Sequence, residues 1–242
     1  MAGAKGLEIH RDRVMIVTGG TGGLGQAVTR KLLDGGATVI ATYLNQDEAD
    51  RLAASTSSDQ RQRLNLTLVD VTNPSSVNAL VAHVLESHGR IDGLVNVVGG
   101  YQYRPFLEIS PADWQRQLQL NLDTTFLVTR AVLKPMVEAG YGRIVSVGSQ
   151  SAMAAAPFAA HYNAAKAAVA SLMATLSHEF GPNITANTVL PGTIDTLANR
   201  QAMPEADTSQ WVSPETIAHM ISRLLEASNV TSGQHIPVTR NR

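Results

Sequence analysis

Tyr162 and Lys166 stand four residues apart in an alanine-rich stretch, residues 162–180, that reads as helix. On a helix that spacing puts both side chains on one face, about 5–6 Å apart. A phenol, with an ordinary pKa near 10, is a good proton donor and a poor base at neutral pH. A fixed ammonium beside it stabilises the phenolate and moves it towards the operating pH, where general acid–base catalysis is most efficient. The chemistry on offer is proton delivery to an oxygen on which charge develops, or proton removal in reverse. Taken alone, the pair has a plainer reading as a core Tyr and a Lys whose stem runs along an apolar face. A second candidate is TGGTGGLG, residues 18–25, with glycines at 19, 20, 22, 23 and 25. Such a loop lets backbone amides approach a pyrophosphate, and the helix that follows adds its partial positive charge. Its plainer reading is a tight turn in which glycine supplies left-handed dihedrals.

The elements that must position these residues are legible in the apolar pattern. Short β-branched runs at 14–18, 37–43, 64–69, 94–98, 143–147, 185–190 and 235–238 read as strands. They alternate with helical periods at 23–34, 74–88, 111–136, 162–180 and 214–227. Pro74 sits just inside a helix start, and Gly181-Pro182 closes another. The alternation calls for βαβ units. The expected fold is α/β, one doubly wound parallel Rossmann sheet of about seven strands with helices on both faces. The glycine loop then falls between the first strand and the first helix, the context that dinucleotide binding requires. Residues 1–242 read as a single domain, and the aperiodic, polar stretch 193–213 as a substrate loop.

Composition narrows the function classes. Hydrophobic residues make up 44% of the 242 and charged residues 16%, which is a globular rather than a disordered composition. Nineteen Lys/Arg against 20 Asp/Glu leave no basic excess for a nucleic-acid backbone. The absence of cysteine excludes disulfides, thiolate metal sites and cysteine nucleophiles. The seven His show no metal-ligand spacing, and His10-Arg11-Asp12 is a chance match to a kinase triplet. No run reaches the roughly 18 apolar residues of a membrane span, and the first 13 residues lack a secretory apolar core. The expectation is a cytoplasmic protein with no membrane partner, so the sequons at Asn65, Asn183 and Asn229 are chance matches.

The glycine spacing is TGxxxGxG, from Thr18, Gly19, Gly23 and Gly25, and here the chain resembles the short-chain dehydrogenase/reductase family. Other matches follow in order along nearly the whole chain. They are Asp70-Val71 after the third strand, NVVG at 96–99 where the family usually has NNAG, Asn121 in the long helix, Ser149 thirteen residues before Tyr162, YxxxK itself, and Pro191-Gly192 leading to PGTIDT. The resemblance implies hydride transfer between NAD(P)(H) and a carbonyl or alcohol. It makes Tyr162 the acid of reduction and base of oxidation, and has Lys166 also hold the nicotinamide ribose. Ser149 would orient the substrate oxygen, with Ser151 a nearby competitor, and Asn121 would hold a water linking Lys166 to solvent. It implies a cofactor site of Gly19, Thr21, Gly22, Gly23, Leu24, Gly25, Tyr43, Asp70, Val71, Asn96, Gly99, Tyr162, Lys166, Pro191, Gly192, Ile194 and Thr196, and no metal. Plainer readings remain for Asn121, as a partner of a backbone carbonyl, and for Ser149, as a strand-end turn residue.

NAD-preferring members often end the second strand with an acidic residue, whereas this chain has Tyr43; the basic residues of NADP-preferring members are missing too. Lack of the carboxylate tilts the reading to NADP(H), with Thr42, Tyr43 and Asn45 as polar contacts. Substrate-side candidates are residues 100–106, 152–158 and the loop through Met203, Pro204 and Trp211, with Trp114 and Trp211 read equally well as pins between loop and core. The lead expectation is a carbonyl reductase, 3-oxoacyl substrates included. Residues 199–211 also resemble a segment of dihydropteridine reductases, although those generally lack the serine supplied here by Ser149. From a different class, a dinucleotide-sensing regulator without catalysis is the alternative. The resemblance further implies a homotetramer or homodimer built through 111–136 and 162–180, with Ala164, Ala165, Ala168 and Ala170 allowing close helix packing. The C-terminal sequence lacks the family's common Gly-Gly ending, which puts contacts from that end to the cofactor in doubt.

Overall fold

The computed structural model describes residues 9–240, so the reading of the first eight residues as part of a leaderless N-terminus lies outside the described residues. Seven strands form one parallel sheet. They are β1 (Val14–Thr18), β2 (Thr38–Tyr43), β3 (Leu64–Leu68), β4 (Gly93–Asn96), β5 (Gly142–Val147), β6 (Ile184–Pro191) and β7 (His235–Val238), in the order β3-β2-β1-β4-β5-β6-β7. The order reverses between β1 and β4, where Thr18 pairs with Asn96. A crevice opens at such a switch point, outside the carboxyl ends of the strands.

Residues along one strand alternate between two cores. From β1, Met15 and Val17 join a cluster with Leu24, Val28 and Leu32 of the first helical turn and helix, and with Ile217 and Ile221. Val14 and Ile16 join the opposite cluster with Val77, Leu80, Val128, Val132, Met136 and Met173. Both faces are covered, so β1 is apolar at nearly every position and all five residues are buried. β3, at the sheet edge, is only partly covered.

The helices are α1 (Gly25–Asp34), α2 (Gln46–Ala54), α3 (Ser58–Arg63), α4 (Pro74–His88), α5 (Pro111–Leu118), α6 (Thr124–Ala139), α7 (Gln150–Met153), α8 (Ala160–Phe180), α9 (Leu197–Ala202) and α10 (Pro214–Leu224). Asn73 caps α4 before Pro74, and Gly89 ends it at φ 70°. The expected long helix 111–136 is two helices joined by a π-helical turn over Gln119–Asp123. Helix α2 was not expected, because only Ala49 and Leu52 of its nine residues are buried and no apolar stripe shows. The expected loop 193–213 contains α9 and a 3-10 turn. It is tied at its base by a bridge between Ile194 and Val212, and Trp211 is buried as a pin. His10 of the HRD triplet is buried before β1 and bonded to Ser222 of α10; burial pulls its pKa down to about 4.

Candidate active site

A cleft of about 1300 Å³ runs along the carboxyl ends of the strands. Its floor at the switch point is the glycine loop. Gly19 adopts φ +61°, and its amide donates to Thr42 Oγ1 at 3.0 Å. A Cβ on Gly25 would lie 1.9 Å from the Gly19 carbonyl oxygen, and one on Gly23 would lie 2.8 Å from the Thr196 methyl. Only glycine lets the chain fold back this closely. Leu24 stands at the cap position before helix α1 and gives no side-chain cap, and among the described residues no acceptor pairs with the amides of Thr21, Gly23 or Leu24. A cradle of close-packed glycines with unpaired amides at a helix start suits a pyrophosphate. The residues present therefore fit a dinucleotide.

Tyr43, Leu44, Asn45, Asp70, Val71 and Thr72 line the cleft on one side of this loop. Thr42, expected as a polar contact, lines the cleft as well, and its hydroxyl accepts from the Gly19 amide. Asn45 is the cap of α2 and accepts from Asp47 N and Glu48 N at 2.9 and 3.4 Å. Asp70 is exposed and accepts from the amide and hydroxyl of Thr72, which hold its carboxyl below the usual range.

On the other side of the loop, α8 brings Tyr162 and Lys166 to the cleft beside Ser149, at the end of β5. Lys166 is buried, and its Nζ donates to the Val147 carbonyl at 2.8 Å. Burial draws its ammonium down to about 8. Burial also pushes the Tyr162 phenol above its ordinary value; its hydrogen bond with Ser149 opposes that rise, and the neighbouring Tyr101 adds to it. The direction expected from the Tyr/Lys spacing is thus reversed. The ammonium is bonded to a strand carbonyl, and removing the phenol from water outweighs what its neighbours return.

Ser149 and Ser151 hydroxyls are 2.8 Å apart. Ser151 Oγ donates to Asn163 Oδ1 at 3.3 Å, and Asn163 is held by its own donation to Ala156 O at 2.7 Å. Both serines line the cleft, with Ser151 lying between Ser149 and Asn163 and Ser149 the one that acts on the Tyr162 phenol.

Three expected site residues do not line the cleft. Asn96 is buried, and its amide donates to Thr129 and Ser146 hydroxyls at 3.0 and 3.1 Å. Its side chain ties β4 to its neighbours. Asn121 sits in the π-helical turn, fully buried; it donates to Gly100 O and Gln117 and accepts from Gly100 N at 3.0 Å. It bonds backbone, the plainer of its two readings, yet a Cβ on Gly99 would meet Asn121 Oδ1 at 2.7 Å and Lys166 Nζ at 2.9 Å. Asn121 and Lys166 thus flank Gly99 from two helices, and only a glycine fits between them. The Thr196 hydroxyl caps α9 while its methyl packs on Gly23. Conversely, Glu48, Gly148, Gln150, Thr239 and Arg240 line the cleft although the sequence pattern does not mark them. Thr239 and Arg240 get there because the amide of Gly192 bonds to Val238 and draws the end of β7 to the Pro191 turn.

At the far end, Tyr101 meets the Tyr162 ring edge-on, with centroids 5.2 Å apart. Ala154, Met203 and Gln210 complete the wall, and Tyr103 stacks on Phe158 just outside. Among the described residues no group of His, Cys, Asp or Glu could hold a metal, and no helix is long and apolar enough to cross a membrane.

The profile of the short chain dehydrogenase family matches residues 13–207. Cyclopentanol dehydrogenase of Comamonas sp. (strain NCIMB 9872) is 32% identical over 90% of this chain and 87% of its own. A 3-oxoacyl-[acyl-carrier-protein] reductase of Chlamydia muridarum is 30% identical over 91% of this chain and 92% of its own. The crystal structure of a short-chain dehydrogenase/reductase, glucose/ribitol dehydrogenase, from Brucella melitensis superposes with a TM-score of 0.80 at 32% identity, covering 94% of this chain and 95% of that one. The chain belongs to the short-chain dehydrogenase/reductase family. It is an NAD(P)-dependent oxidoreductase acting on CH–OH groups.

Proposed function

We propose that this chain interconverts a ketone and its secondary alcohol, 3-oxoacyl substrates included, with Tyr162 as the proton-transferring group. The observation that carries this is the meeting of Tyr162, Ser149 and Lys166 in one cleft with a glycine cradle that fits a dinucleotide. When bound, the nicotinamide dinucleotide supplies or accepts the hydride. The glycine loop with Leu24, together with Tyr43, Asp70, Val71, Gly99, Pro191, Gly192 and Ile194, would hold it.

Tyr162 Oη gives its proton to the substrate oxygen in reduction and takes it back in oxidation. At neutral pH the phenol holds its proton, as one at or above its ordinary value does, and so has it to give in reduction. Ser149 Oγ, held by Ser151, orients the substrate oxygen beside the phenol. Lys166 places a positive charge under the site, and Asn121 with Gly99 fixes the backbone beside it. Asn121, bonded to Gly100 and Gln117, positions the backbone here, and a water held beside Lys166 remains part of this reading.

The apolar wall of Tyr101, Ala154 and Met203 suits an alicyclic or acyl substrate with few polar groups. The names of the cyclopentanol and 3-oxoacyl relatives support the same class, whereas the pteridine reading gains nothing from them and is disfavoured by Ser149. A homodimer or homotetramer in the cytoplasm is part of this reading.

The test is Tyr162→Phe, assayed by oxidation of NADH and NADPH over a ketone panel. We expect turnover to fall by about 10²–10⁴-fold, with dinucleotide binding kept. Wild-type rates in the variant would remove Tyr162 from the chemistry. Binding without turnover of any substrate by the wild type would favour a sensor.

A further inference from the structure

We infer that Glu48 faces the 2′ position of the adenosine ribose and makes this chain select NAD(H) over NADP(H). The inference rests on the dinucleotide reading of the cleft. In a doubly wound sheet the ribose 2′-hydroxyl is read by an acidic side chain about 20 residues beyond the glycine fingerprint, near the end of the second strand. At the end of β2 this chain places Tyr43, whose hydroxyl donates to Gln46 at 2.9 Å and brings no charge. The fold brings a carboxylate to the same end of the cleft from the next element. Glu48, in the first turn of α2, accepts from Thr21 Oγ1 at 3.3 Å, and Thr21 belongs to the glycine loop. Both line the cleft together with Tyr43.

The position of Glu48 is well determined. Its own amide bonds to the Asn45 cap, and Ala49 and Leu52 anchor α2 in the protein. A carboxylate only accepts hydrogen bonds. It therefore suits a hydroxyl that donates, and it repels a phosphate carrying up to two negative charges. The second charged group at this end is Asp70, also a carboxylate, so the repulsion is not offset there. Among the described residues, the cations that line the cleft are Lys166, engaged with Val147 O, and Arg240, engaged with Ser209 O beyond β7 at the opposite side of the sheet. Tyr43 by itself pointed to NADP(H); the carboxylate five residues on reverses that reading.

The test is equilibrium binding to the full chain, by fluorescence titration for NADH and NADPH and by calorimetry for 5′-AMP and 2′,5′-ADP. The wild type is expected to bind NADH at least about tenfold more tightly than NADPH. Glu48→Gln, which keeps the shape and removes the charge, is expected to narrow that ratio by about tenfold. The narrowing should come through tighter NADPH and 2′,5′-ADP binding, with 5′-AMP little changed. Glu48→Asp keeps the charge and is expected to keep the preference. A wild type that binds NADPH as well as NADH, or a ratio unmoved in Glu48→Gln, overturns the role of Glu48. Failure of the wild type to bind either dinucleotide overturns the cleft reading itself, and this inference with it.

Discussion

Lys166 shows at the scale of one residue how a site can work against the fold that holds it. Its ammonium is buried with one hydrogen bond to a carbonyl, and burial lowers its pKa to about 8. A group whose folded pKa lies below its unfolded value binds fewer protons when folded. Stability is then lost as pH falls from about 10.5 to about 8, and the deficit is fully present at neutral pH. Lys166→Met removes the charge, fills similar space and leaves the Val147 carbonyl unpaired. We expect a net gain of about 1–2 kcal/mol in urea unfolding at pH 7, alongside loss of turnover. A Lys166→Met variant less stable than wild type would show that the ammonium is solvated better than its burial indicates. The residue types were legible in the sequence, because Tyr, Lys and Ser at offsets of four and thirteen are local facts. The phenol's upward shift was not, because it depends on how much water the folded chain leaves around it.

Among the elements, the turn between β1 and α1 is the most demanding. Gly25 and Gly22 look equivalent in a glycine-rich string, yet the structure separates them. An added Cβ at Gly25 would run into the Gly19 carbonyl at 1.9 Å, while at Gly22 it would make an ordinary 3.6 Å contact with the same oxygen. Gly25→Ala must push backbone against backbone. We expect it to cost about 2–4 kcal/mol and to weaken NAD(P)H binding at least about tenfold, whereas Gly22→Ala stays within about 1 kcal/mol of wild type. Urea midpoints and fluorescence titration of the two variants check this; equal effects would mean that the loop is not held as described. The missed helices teach a related lesson. α2 and α3 announce themselves by caps rather than by apolar period, through Asn45 before Asp47 and Glu48 and through the reciprocal pair Ser57 and Gln60. Those cap signals were present in the sequence, and an apolar count overlooks them.

On the scale of the whole molecule, the two long helices were expected to meet copies of themselves through four small residues. The structure divides that set. Ala165 and Ala170 are buried within the chain, while Ala164 is exposed and Ala168 half-exposed on the outer side of α8. Phe126 and Val137 of α6, eleven residues apart and so on one face of that helix, are also exposed. We expect solution scattering to give the mass of a dimer or tetramer, and Phe126→Glu to lower it. A wild-type mass of one chain would assign that apolar face some other role.

What the sequence determined by itself was everything carried by local pattern. The strand–helix alternation demanded a parallel sheet, the glycine spacing marked the turn into α1, and Tyr162 with Lys166 named the acid–base chemistry. What only the tertiary structure decided was which side chains share a space. Asn96 went into the core, Asn121 to the backbone of Gly100, and Glu48 to the glycine loop, across 27 residues of chain. Spacing along a chain fixes neighbours within one helix or strand. Neighbours between elements follow from crossovers, strand register and burial, and those are properties of the packed molecule.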